Sequence, residues 1–160
     1  ENRGIPFKLD KKDCPYTANI KEFMNAIRAG KTVIVVLSRP YLRSKNCMYE
    51  LSGIMENVDY KDRMLPVAVD DMIRDDNFYV ELVRHWKEKK DKQTEIVEKL
   101  RDIDPDMAEP AEMKLKEIEQ VYGLLKVIKE YIDWANADNL EALSSTQFKK
   151  IIDEIYKRRG

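Results

Sequence analysis

Residues 32–51 read TVIVVLSRPYLRSKNCMYEL, and this stretch decides the fold. Thr32 to Leu37 are all β-branched or leucine, with no charge among them. Such a run is expected as a strand buried on both faces, the kind found inside a parallel sheet. It runs directly into Ser38 and Pro40, then into a polar segment that becomes helical by about Ser44. Glu50 is the single carboxylate between Lys31 and Gly53. Open α/β sheets place their sites outside the carboxyl ends of the strands. Hydroxyls, an aromatic ring and one isolated acid are delivered there, so the candidate site starts at this stretch.

Upstream, IPFKLD (5–10) alternates apolar and polar residues and predicts a short strand, and Lys11 to Ala18 predicts a loop. Asn19 followed by Glu22 resembles a capping box. Ile20, Phe23, Met24 and Ile27 then follow helical spacing, and Gly30 suits a helix C-terminus. Strand, loop, helix and strand in that order make a βαβ unit and imply parallel pairing.

Downstream, Cys47, Met48, Leu51, Ile54 and Met55 mark the buried face of a helix, and Asn57 to Arg63 reads as a polar turn. MLPVAV (64–69) predicts the next buried strand, with Asp70 and Asp71 at its end. The helical pattern over 79–101 carries lysines interspersed with glutamates, as a solvated face does. Asp102 to Pro110 breaks it. From Ala111 the apolar positions run at helical spacing to Ile132, and a last helix is capped at Ser144 or Ser145. The expected architecture is an α/β domain over 1–110 with C-terminal helices over 111–160, the domain's last helix, an extension, or both. Three strands make a thin sheet, so a first strand and its helix are expected to precede residue 1.

The length of 160 residues suits one domain with an appendage, and 37 % charged residues balance to a net charge of −1. A balanced charge gives no reason to expect nucleic acid or an anionic membrane as partner. The longest uncharged apolar run falls far short of the roughly 20 residues a membrane span needs. Cys14 and Cys47 form neither a metal-type pair nor a disulfide framework, and read as reduced thiols of a cytoplasmic protein. No glycine-rich phosphate loop occurs, which argues against dinucleotide dehydrogenases and NTPases.

The spacing S-x-x-Y-x-x-S-x-x-C-x-x-E-L, met by Ser38, Tyr41, Ser44, Cys47, Glu50 and Leu51, resembles the signature of Toll/interleukin-1 receptor (TIR) domains of the bacterial type. The resemblance covers roughly residues 5–105 and implies a flavodoxin-like parallel sheet with flanking helices. It also implies cleavage of NAD⁺ at the nicotinamide–ribose bond, in bacterial defence or cell-death signalling, by domains activated through self-association. NAD⁺ would then be a substrate, with no cofactor and no metal, and other TIR domains would be partners. On this resemblance Glu50 is the catalytic residue. Ser38, Tyr41, Ser44 and Asn46 lie on the substrate side, and Asp13 and Tyr16 fall in the loop that gates the pocket and mediates assembly. Asn46 departs from the tryptophan that catalytic members often carry before the motif cysteine, and Phe78 or Tyr79 are alternative stacking side chains.

Each of these residues has a plainer reading. Ser38 and Ser44 suit helix N-caps, Tyr41 suits a core aromatic, and Cys47 suits packing. Asp13 and Tyr16 suit an ordinary turn, and Asp70 and Asp71 suit capping rather than a metal pair. His85 reads as structural, because a catalytic histidine needs an orienting neighbour. Two other functions stand beside the enzyme: an interaction module working through homotypic contacts, and a flavodoxin-like receiver domain, which would need an acidic cluster ending an earlier strand.

Overall fold

A computed structural model describes residues 32–69, 71–135, 144 and 149–159. The chain divides at Lys31 and Thr32 into two units, and every described residue lies in the second. The expected strand at 5–10, the helix at 19–27, Cys14 and the candidate loop residues Asp13 and Tyr16 lie outside the described residues, as does Asp70.

The β-branched run forms β1 (Val33–Leu37), and the LPV run forms β2 (Met64–Ala68). They pair in parallel, Val33 opposite Met64 through Leu37 opposite Ala68, and the Val69 amide continues the ladder by donating to the Leu37 carbonyl at 2.9 Å. The crossover between them carries α1 (Arg39–Arg43), α2 (Lys45–Met55) and the single turn α3 (Tyr60–Arg63). After β2 come a 3-10 turn (Asp71–Arg74) and α4 (Asp76–Ile103). A second 3-10 turn (Pro105–Ala108) leads into α5 (Glu109–Trp134), and α6 (Lys149–Arg159) follows. The described residues are therefore mostly helical, with a small parallel sheet.

Burial on both faces of β1 is not what the structure shows. Val35 and Leu37 are enclosed, while Ile34 and Val36 each keep 47 % of their surface. Strand geometry sends alternate side chains to opposite faces, and the described helices cover only the Val35–Leu37 side. On that side α2 contributes Met48, Leu51, Ile54 and Met55, all buried. Cys47, expected on the buried face, is only half-buried.

The break at 102–110 is an elbow. Asp104 accepts the Asp106 amide at 3.0 Å to start the 3-10 turn, and Pro110 sits in the first turn of α5, where its missing N–H costs nothing. The chain then folds back along α4. Gln93 donates to the Ala111 carbonyl at 3.0 Å, and Arg101–Glu112, Lys90–Glu119 and Lys129–Asp76 pair in antiparallel order. Among them Trp86, Val97, Val121, Leu125 and Ile128 are enclosed.

Candidate functional site

Ser38 follows the last residue of β1 in extended backbone, and its hydroxyl accepts the Tyr41 amide at 3.1 Å. With Pro40 in the first turn, this caps a helix of only five residues. Ser44 then stops α1 and starts α2: its amide donates to the Tyr41 carbonyl at 3.0 Å, while its hydroxyl accepts the Cys47 amide at 3.4 Å. Both serines therefore have the capping role expected of their residue type, and both fix the chain between strand end and helix start.

These caps give the motif its geometry. Glu50 lies in the second turn of α2, half-buried, and Asn46 stands one turn earlier at i−4 on the same side of the helix, exposed. Tyr41 is half-buried at the middle of α1. Burial first, then the nearby Glu50 carboxylate and Cys47, push its phenol well above the ordinary value. The phenol therefore stays a neutral hydrogen-bonding group at neutral pH. Phe78 is buried, with the Arg43 guanidinium 5.5 Å from its ring centre, and Tyr79 is half-buried. Phe78 therefore serves the inner packing of α4 against α1 and has no free face for stacking.

A set of side chains with no part in the motif holds α1 from behind. Trp86, fully enclosed, donates its indole N–H to the Leu42 carbonyl at 2.9 Å. His85 Nε2 lies 3.2 Å from the Arg43 carbonyl, to which Lys89 also donates at 3.4 Å. Arg43 itself pairs with Glu81 at 2.9 Å. His85 so has the structural role expected of it, with its ring edge-on to Trp86. The carbonyls that a five-residue helix leaves open at its end are satisfied by α4. The one signal in sequence was a tryptophan once per several turns in an otherwise lysine-rich helix, which marks a buried stripe but not its hydrogen bond.

Chemically, the motif contributes a carboxylate on α2, a neutral phenol on α1 and two hydroxyls already engaged in capping. No group of three or more potential metal-ligating side chains occurs among the described residues. An open groove of about 530 Å³ lies at the elbow between Pro105, Glu109 and Lys116 and includes no motif residue. No described helix is long and apolar enough to cross a membrane.

A family model of the TIR domain matches residues 1–101. No curated protein and no solved structure matches the chain.

Proposed function

The chain belongs to the TIR domain family, and from that premise we propose that it is an NAD⁺ glycohydrolase with Glu50 as its catalytic carboxylate. The observation that supports this reading is the double capping by Ser38 and Ser44, which fixes α1 and α2, the helices that carry Tyr41 and Glu50, directly after β1. Cleavage breaks the bond between the ribose C1′ and the nicotinamide nitrogen. The bonding pair leaves with nicotinamide, which departs neutral and needs no general acid. The ribose is left with oxocarbenium character. A carboxylate fixed nearby stabilises that charge and orients the ribose hydroxyls, so one acid suffices. Water then adds at C1′ and loses a proton, giving ADP-ribose. The flavodoxin-like sheet completed by further strands, the gating role of Asp13 and Tyr16, and activation by self-association belong to the same proposal.

The test is nicotinamide release from NAD⁺ at several protein concentrations, with Glu50→Ala alongside. The expected result is a rate that climbs more steeply than protein concentration and falls at least ~100-fold in the variant, as loss of a charge stabiliser at the reacting centre does. Full cleavage by folded Glu50→Ala would sink the mechanism. A second reading, a module acting only through homotypic contacts, is favoured by one observation: Asn46, where catalytic relatives carry an aromatic wall, is exposed and offers no ring. Under that reading Glu50→Gln leaves the signalling output intact while changes at Tyr16 abolish it.

A further inference from the structure

The hydrogen bond from the Val69 amide to the Leu37 carbonyl sets the phase of the parallel ladder. Successive residues of a strand turn their N–H and C=O groups to opposite edges. With Leu37 opposite Ala68, the residues of β2 whose backbone groups face β1 are therefore Leu65, Val67 and Val69. Met64, Pro66 and Ala68 turn theirs to the outer edge. Pro66 has no N–H to offer there, and a proline within a sheet is confined to an edge strand with its nitrogen outward. Among the described residues β2 indeed pairs with β1 alone. The outward groups of Met64 are also engaged. Its amide donates to the Tyr60 carbonyl, and its carbonyl accepts the Arg158 guanidinium of α6 at 3.4 Å. Arg158 also donates to the Asp62 carbonyl just before the strand. Glu154, one turn back on α6, holds the guanidinium at 2.9 Å, and Ile155 is buried beside it. Met64 and Ala68 keep 1 % and 0 % of their surface, so their outward backbone groups are shut off from solvent.

We propose that α6 is a strap over the outer edge of β2, and that Arg158 together with Pro66 keeps a strand of a second copy of this chain from pairing there. An uncovered strand edge is a row of unpaired donors and acceptors on which another chain can pair. A proline on the edge and a helix laid over it are two of the ways in which proteins prevent this. Here both act on neighbouring outward positions, Pro66 and Met64. The strand needs such cover, because MLPVAV (64–69) is an uncharged apolar run of high pairing tendency. The inference is independent of the glycohydrolase reading. It gives a task to a helix beyond residues 1–101, the region that the TIR model matches, and it directs self-association of the folded domain to surfaces other than this edge.

The experiment compares the full chain with the double variant Pro66→Val, Arg158→Met by analytical ultracentrifugation over a range of concentrations, with circular dichroism to verify folding. Amide exchange is followed at positions 66 and 68. The double variant is expected to self-associate at least about tenfold more tightly than the wild-type chain, since pairing along the edge adds one or two net hydrogen bonds. Exchange at positions 66 and 68 is expected to slow as concentration rises. Pro66→Val combined with Arg158→Lys, which keeps a donor for the Met64 carbonyl, is expected to return association to within about threefold of wild type. If the double variant fails to fold, Pro66→Ala alone restores the strand amide and is expected to associate about threefold more tightly, with the same protection. Association within about twofold of wild type in the folded variant overturns the proposal. Tighter association without protection at positions 66 and 68 overturns it too, because the contact then lies elsewhere.

Discussion

Tyr41 shows how much a single side chain's surroundings add to its identity. A tyrosine four residues past a strand reads equally as core or as pocket wall, and the structure leaves it half-buried, its phenol raised first by burial and then by the Glu50 carboxylate. Tyr131 is enclosed against Tyr60, with ring centres 5.7 Å apart, and burial raises its pKa from the ordinary 10.0 to about 12. Arg158 pulls in the other direction but does not offset burial. Because both phenols titrate higher folded than unfolded, the stability tied to their neutral forms is whole below the unfolded value. It declines as pH climbs from about 10 toward 12. Urea unfolding midpoints are therefore expected to drop between about pH 10 and pH 12, and Tyr131→Phe to flatten that drop. A flat profile in the wild-type chain would remove burial as the cause.

At the scale of elements, the motif helix α1 is too short to stand alone and is held by α4. Isolated helices of a few residues do not persist in water, since nucleation outweighs what one turn returns. The indole of Trp86 is consequently more than filler. In Trp86→Phe the ring's burial is largely kept while the Leu42 carbonyl loses its donor, a change expected to cost about 1–3 kcal/mol. Lys87→Ala, on the solvated face where Lys87 pairs with Asp91, is expected to stay within about 0.5 kcal/mol. Urea denaturation of the pair distinguishes the two faces, and equal losses would contradict the clamp. The existence of α4 and α5 was legible from spacing alone, because apolar residues recurred every third or fourth position. The donors that cap α1 were not, because hydrogen bonds to backbone carbonyls leave no periodic trace in sequence.

Across the whole molecule, the two ends of the sheet have different supports. At the amino end of β2, Arg158 of α6 donates to the carbonyls of Asp62 and Met64 and pairs with Glu154 at 2.9 Å, while Ile155 beside it is buried. At the carboxyl end, α4 and α5 hold the segments that carry the candidate site. Arg158→Met is therefore expected to lower stability by about 1–2 kcal/mol, through loss of its hydrogen bonds to these carbonyls. Thermal unfolding tests this, and an unchanged midpoint in the variant would contradict the brace. The C-terminal helices, which in sequence had no assignable role, thus brace the sheet at both ends.

The sequence by itself determined the two described strands, the long helices and the motif, because β-branched runs, helical spacing and the residue types of caps are local properties; the short helices Arg39–Arg43 and Tyr60–Arg63 were not read as such. It also determined the family, since six fixed positions across SRPYLRSKNCMYEL lie in one strand-to-helix turn. Only the tertiary structure decided that Ile34 and Val36 face away from the described helices, and that Trp86 and Lys129 donate to the carbonyls of Leu42 and Arg74. Those facts depend on which elements meet across 44 and 55 residues of chain. Contacts at that range are set by how layers pack, and no local pattern encodes them.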